Sequence, residues 1–387
     1  MTYTLQKDVA LVTVCDEHFL VAAGQARGKV PAVKGINRPG AYFWNLLQQK
    51  LPENDIAWTD AKSDAFVCYG LVKTEEGYTR MPRDIAREVN EGVGELCDNT
   101  SGGRVRLCTD SPYIAVKAVY PGLCRMPHMP ISGSSGFDLY KEIGGRQFYL
   151  GAYIPSMDTQ TEYEGIVYTG NATGEPVNYV LNFPPYNALC KLYIGLKEGS
   201  CAETPNGYHN RKPVVFYGSS ITQGACASRP GNIYQNFLSR ALNMDYISLG
   251  FSGSARGEKA MAEYMAGLEM SVFVADYDHN APDATYLADT HYALYEVIRK
   301  RCPDLPYIMI SHPDRRINDA LMRRKVIMES YVEAVNAGDR NVYFIDGDSL
   351  FAGLEYDACT VDVCHPNDLG MYRMAQGMLP LLKKLLY

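Results

Sequence analysis

From Arg104 to Leu196 apolar and aromatic residues come in short runs with partial alternation, divided by Gly, Pro, Asn and Asp. The runs RVRLCT, YIAVKAVY, GFDLYKEI, RQFYLGAYI, EGIVYTG, VNYVLNF and CKLYIGL are rich in Val, Ile and Tyr, residues that suit a pleated, half-buried surface. Period-two patterning with turn residues between runs predicts the strands of a β-sandwich or jelly roll. The first hundred residues are less legible. FWNLLQQKL and PRDIAREVNEGVGEL have helical spacing, and nothing else there is assigned.

From Pro213 the period changes. Continuous apolar runs, VVFYG, YISLGF, SVFVADYD, YIMIS and VYFIDGD, alternate with stretches of helical period. The latter are NIYQNFLSRAL, GEKAMAEYMAG, ATYLADTHYALYEVIRK, INDALMRRKVIMESYVEAVNAG and DLGMYRMAQGMLPLLKKLL. Short apolar strands that each lead into a helix predict a parallel sheet covered on both faces. The fold class is therefore α/β: a β-sandwich (jelly-roll-like) domain over 1–205, then a three-layer parallel-sheet domain over 212–387. The polar stretch KEGSCAETPNGYHNRKP, 197–213, reads as the linker. In open parallel sheets ligands bind at the carboxyl ends of the strands, so chemistry is sought in those loops.

Composition narrows the function. Of 387 residues 47% are hydrophobic and 21% charged, enough to bury ordinary cores, and the net charge of −7 argues against nucleic acid as partner. The N-terminal MTYTLQKDVALVTVCDEHFLVAAG is broken by Lys7, Asp8, Asp16 and Glu17, so it lacks a signal-peptide pattern. No window approaches the ~18 apolar residues of a membrane span. A cytoplasmic protein without a membrane partner is expected. The eleven cysteines are scattered, with no C-x-x-C pair. They read as unpaired thiols in a reducing compartment, and no metal site is expected.

Two segments have catalytic chemistry. In DACTVDVCHPNDLG, Asp362 and His365 are three residues apart, close enough for the carboxylate to hold imidazole Nδ1 and leave Nε2 as a base. In VVFYGSSITQG, 214–224, the chain leaves a strand and Ser220 falls at the amino end of the next helix. There its own N–H and the helix dipole stabilise developing negative charge. The segment is not a G-x-S-x-G elbow. Nor is it a Walker A loop, because Gly224 is followed by Ala225 and Cys226.

At these residues the chain resembles the SGNH (GDSL-type) hydrolases. Gly218-Ser219-Ser220-Ile221-Thr222 is similar to their Gly-Asp-Ser-(Ile/Leu)-Thr block, with Ser219 in place of the usual Asp. The resemblance implies a flavodoxin-like sheet and Ser220 as nucleophile with His365 and Asp362. LGFSGSARG matches the second block and implies Gly253 as an oxyanion donor beside the Ser220 N–H. VADYDHNAP offers Asn280 as third donor, without the usual Gly-x-Asn-Asp form. SGFDLY at 135–140 and ASRPG at 227–231 resemble bacterial SGNH-type esterases whose N-terminal β-domain has a Gly-x-Asp-Leu-Tyr motif. That likeness implies a serine esterase removing small acyl groups, most simply acetyl, from a carbohydrate.

Competing readings stay open. Ser219 reads as structural, Asn280 as a turn former before Pro282, and Gly253 as a positive-φ turn residue. His279 and His312 either line the acyl or sugar pocket or are satisfied loop histidines. Arg229 either holds a substrate or pairs with an acid, and His128 reaches over the crevice from the β-domain or does not. The expected partner is a small-molecule or oligosaccharide ester, no cofactor is needed, and a homo-oligomer is left open. The rival functions are a thioesterase or lysophospholipase, an acyltransferase, and a carbohydrate-binding protein without activity.

Overall fold

A computed structural model describes residues 55–171, 174–313, 319–353 and 355–387, together with three strands nearer the N-terminus. It divides into two units, Met1–Ile56 and Ala57–Tyr387. In the first, β1 (Val9–Val14) pairs antiparallel with β2 (Glu17–Ala22), which pairs antiparallel with β3 (Lys34–Ile36). The segment FWNLLQQKL lies outside the described residues.

The second unit contains the sandwich. One sheet is built from β4 (Ile56–Asp60), β9 (Tyr113–Val119), β12 (Glu162–Tyr168) and β14 (Lys191–Lys197), in the order β12-β9-β14-β4. The other takes β5 (Val67–Tyr69), β8 (Arg104–Thr109), β10 (Phe137–Ile143), β11 (Arg146–Tyr153) and β13 (Val177–Asn182), in the order β11-β10-β13-β8-β5. Between β5 and β8 the chain forms a small hairpin of β6 (Val72–Thr74) and β7 (Gly77–Thr79). Arg80, next after it, is buried and donates to the carbonyls of Leu96 and Gly250.

Inward residues of both sheets, among them Val105, Leu107, Ile114, Val116, Phe137, Leu139, Leu181, Leu192 and Ile194, form one apolar core. In β8 the alternate positions are Arg104 and Arg106, which are buried too. Arg104 lies 3.8 Å from the Tyr246 ring and 2.5 Å from Asp245, and Arg106 pairs with Glu142 at 2.6 Å. The outer face of this strand is thus covered by the parallel-sheet region, and its polar positions are ion-paired as burial requires.

The parallel sheet consists of β15 (Asn210–Gly218), β16 (Met244–Gly250), β17 (Val272–Asp276), β18 (Tyr307–Ile310) and β19 (Val342–Ile345). Their order is β16-β15-β17-β18-β19. Successive residues alternate between faces. Val214, Phe216, Val272 and Val274 pack on Leu238, Leu242, Met371, Met374 and Met378 of the helices Tyr234–Leu242 and Asp368–Leu386. Val215, Tyr217, Phe273 and Ala275 pack on Met261, Met265, Leu287, Leu294 and Ile327 of the helices Lys259–Ala266, Ala284–Arg301 and Ala320–Asn336.

Two details differ from the pattern read in the sequence. PRDIAREVNEGVGEL forms two helices, Arg83–Val89 and Glu91–Leu96, because Asn90 turns extended and its Oδ1 accepts from Val93 N–H at 2.9 Å. Their residues Ala86, Val89 and Val93 join the core beneath the parallel sheet. The polar stretch before Pro213 is not loose throughout: β15 begins at Asn210, and Tyr208 is buried against Tyr69 and Arg106. Among the described residues no helix is long and apolar enough to cross a membrane.

Candidate active site

β15 lies inside the parallel sheet, and its carboxyl end opens between β16 and β17. Ser219 follows it in extended conformation and caps the one-turn helix Ser220–Gln223, its Oγ accepting from Ile221 N–H at 3.2 Å. A serine oxygen does this as well as an aspartate would. Ser220 therefore stands first in the helix, 8% exposed, with Oγ 2.9 Å from His365 Nε2.

His365 sits on a loop tied across its base, where Val361 N–H donates to the His365 carbonyl at 2.9 Å. Asn367 caps the helix that follows, accepting from Leu369 and Gly370. Asp362 Oδ2 lies 2.7 Å from His365 Nδ1, while Oδ1 accepts the N–H groups of His365 at 2.7 Å and Cys364 at 3.1 Å. Partial burial would raise the Asp362 carboxyl, but these bonds to His365 and Cys364 hold it below the ordinary carboxylate value. The hydrogen bond to Asp362 Oδ2 fixes the Nδ1–H tautomer and leaves Nε2 facing the Ser220 hydroxyl. Between the two residues Val363 has φ +71°, a strained conformation for a β-branched side chain.

The loop after β16 is pinned on three sides. Phe251 N–H donates to the Gly218 carbonyl at 2.9 Å, Ser252 N–H to Gln223 Oε1 at 2.9 Å, and Asn280 Nδ2 to the Phe251 carbonyl at 2.8 Å. Gly253 follows with φ +68°, a value glycine adopts without strain. Among the described residues neither the Gly253 nor the Ser220 N–H has a hydrogen-bond acceptor. One hydrogen of the Asn280 amide is used to brace the loop.

The sandwich reaches this turn directly. Tyr186 Oη donates to the Ser220 carbonyl at 3.0 Å, Gln223 Nε2 to the Pro185 carbonyl at 3.2 Å, and Ser101 Oγ to the Gln223 carbonyl at 2.7 Å. Asp138 of SGFDLY is wholly buried and accepts from Arg229 Nη1, Gly231 N–H and Asn182 Nδ2, each at 2.8 Å. Arg229 also stacks 3.9 Å from the Tyr149 ring. A side chain at Gly231 would collide with Asp138 and Tyr140, so the two motifs SGFDLY and ASRPG are two halves of one joint. His128 is brought beside His365, its ring centre 5.5 Å from that ring's.

Residues 211–383 match the model of the GDSL-like lipase/acylhydrolase family, and residues 56–201 match that of the N-terminus of SGNH-hydrolase-type esterases. Residues 211–383 are an SGNH (GDSL-type) hydrolase domain. The chain is a carboxylic ester hydrolase by that domain. A putative GDSL-like lipase from Bacteroides ovatus is 29% identical, with a TM-score of 0.77 over 86% of this chain and 98% of that one. The salicylyl-acyltransferase SsfX3 of a tetracycline biosynthetic pathway is 20% identical, with a TM-score of 0.69 over 86% and 99%. A family two carbohydrate esterase from Clostridium thermocellum is 16% identical, with a TM-score of 0.57 over 82% and 98%. No curated protein matches the chain.

Beneath Ser220, His365 and Asp362 lies a layer of acids and histidines, of which the sequence singles out only His279 and His312. Asp276, at the end of β17, takes bonds from Thr222 Oγ1 at 3.0 Å and Tyr234 Oη at 3.4 Å on Oδ2, and its carbonyl accepts Ser219 N–H at 3.2 Å. Burial first, and then the charge of Asp278, push its carboxyl up to about 8. Burial alone would raise Asp278 as well, but His312 Nδ1 at 2.6 Å reverses this and holds it far below the usual range. Burial would lower His312 in turn, but Asp278 outweighs it and raises the imidazole. His279 is driven down to about 4 by burial, its ring centre 4.6 Å from that of His312 and its Nδ1 3.8 Å from Cys364 Sγ. His312 is thus occupied by an acid. Tyr186, Gln223 and Asp276 brace the turn that holds Ser220, yet only the three-dimensional pairing reveals them.

Proposed function

We propose that the protein is a serine esterase that removes small acyl groups, most simply acetyl, from a carbohydrate or similar alcohol. The observation that bears this reading is the unbroken line from Ser220 Oγ through His365 to Asp362, at 2.9 and 2.7 Å. Ser220 attacks the ester carbonyl while His365 Nε2 takes its proton and Asp362 stabilises the imidazolium. The N–H groups of Ser220 and Gly253, with the second hydrogen of the Asn280 amide, receive the oxyanion, each donor worth ~3 kcal/mol. His365 then protonates the leaving alcohol, and water repeats the cycle on the acyl-enzyme.

The carbohydrate side is supported by likeness in fold to the Clostridium thermocellum esterase, which is described in complex with cellohexaose. Exposure of Asp362 and His365, at 37% and 22% of their side chains, favours a shallow mouth that admits a bulky alcohol. A second reading, acyl transfer from the same acyl-enzyme, is favoured by the likeness to the salicylyl-acyltransferase. Acetate release from acetylated oligosaccharides, with and without added sugar acceptor, tests both. Wild type should release acetate and Ser220→Ala should not. Equal release by both would refute the assignment, and product formed only with an acceptor would favour transfer.

A further inference from the structure

Cys226 follows the nucleophile helix, and His128 enters from the sandwich. One ligand atom from each of His128, Cys226 and His365 lies within 4.8 Å of the other two. These positions are far apart in the sequence, so no ligand spacing announces them. Cys226 is buried, and its N–H donates to the Pro366 carbonyl at 2.7 Å, which ties it to the His365 loop. Among the described residues neither the Cys226 sulfur nor the His128 ring nitrogens have a hydrogen-bond partner. Asp362 holds Nδ1 of His365, which leaves Nε2 as that ring's donor.

We propose that this cluster binds a soft divalent cation of the zinc type at the mouth of the triad, and that the bound cation switches hydrolysis off. The second part rests on His365 being the general base. One thiolate and two imidazoles make a donor set for zinc or cadmium and a poor one for magnesium or calcium. A tetrahedral zinc needs these ligand atoms about 3.3–3.6 Å apart, given Zn–N near 2.0 Å and Zn–S near 2.3 Å. The atoms stand within 4.8 Å of one another, so the partly exposed His128 and the loops of Cys226 and His365 would have to draw inward on binding. The Asp362–His365 pair already has the carboxylate–imidazole arrangement that orients a metal-bound histidine. On binding, the Cys226 thiol gives its proton to solvent and the thiolate sulfur takes the cation. The Nε2 lone pair that would accept the Ser220 proton is then occupied. Water or Ser220 Oγ fills the fourth place.

The test uses the full chain with zinc or cadmium chloride and magnesium as control. Binding is read by the ultraviolet thiolate-to-cadmium charge-transfer band, and hydrolysis by p-nitrophenyl acetate turnover. Wild type should show a saturable band and zinc inhibition reversed by a chelator, with magnesium inert. Cys226→Ala should hydrolyse at the wild-type rate, lose that band and be at least about tenfold less sensitive to zinc. His128→Gln should also lose sensitivity, read as the ratio of inhibited to uninhibited rate. Unchanged sensitivity in both variants would overturn the site. A band lost with Cys226 but no effect of zinc on wild-type hydrolysis would overturn the switch. Should the wild type cleave no ester at all, the function fails while the band still decides the site.

Discussion

Asp276→Asn is the substitution whose effect can be worked furthest from the structure. The carboxyl is buried under the turn that holds Ser220, Oδ2 accepts from Thr222 and Tyr234, and among the described residues Oδ1 has no partner. Burial and the neighbouring Asp278 raise it from 3.8 to about 8. Between those values the folded protein keeps a proton that the unfolded chain has lost. Folding therefore weakens as pH rises through this window, by about 1.4 kcal/mol per pH unit, and levels off above pH 8. The whole interval amounts to about 5–6 kcal/mol, an upper figure because water entry and local relaxation soften it. Asparagine keeps an acceptor for Thr222 and Tyr234 and cannot ionise. Urea denaturation at about pH 5 and about pH 8.5 should show the variant gaining several kcal/mol on the wild type between the two. The same stability difference at both pH values would refute the argument.

Asp138→Asn should loosen the joint between the sandwich and the parallel-sheet region. Its amide must turn a donor toward Asn182 or toward Arg229 and Gly231, leaving a largely buried cation uncompensated at a cost of about 3–5 kcal/mol in urea unfolding. A loss below about 1 kcal/mol would mean that water replaces the contact. Val363→Gly should relieve the positive-φ strain between Asp362 and His365, about 1–2 kcal/mol, against about 0.5–1 kcal/mol for the freer unfolded glycine. A small rise in Tm is expected, and a fall would show that the Val363 side chain contributes packing.

Much of this arrangement was legible in the sequence. Seven apolar runs between Arg104 and Leu196 correspond to the seven strands β8 to β14, because Gly, Pro and Asn turns punctuate them. Ser220, at the end of β15, comes together with Asp362 and His365 of the loop before the last helix. The arginines of β8 were opaque, since their burial depends on Tyr208, Asp245 and Tyr246 far along the chain. Arg229 offered two readings, and its partner Asp138 lies 91 residues away. His128 was equally ambiguous and Cys226 silent for the same reason: the chemistry of a cluster assembled from separate loops resides in distance, which no local pattern encodes.

Covalent labelling by a fluorophosphonate probes the central claim most directly, because it needs an activated serine and no knowledge of the natural ester. Intact-mass analysis should find the wild type modified at Ser220, Ser220→Ala unmodified, and His365→Ala modified far more slowly. Equal labelling of wild type and Ser220→Ala, or a wild type that does not react, would contradict the account.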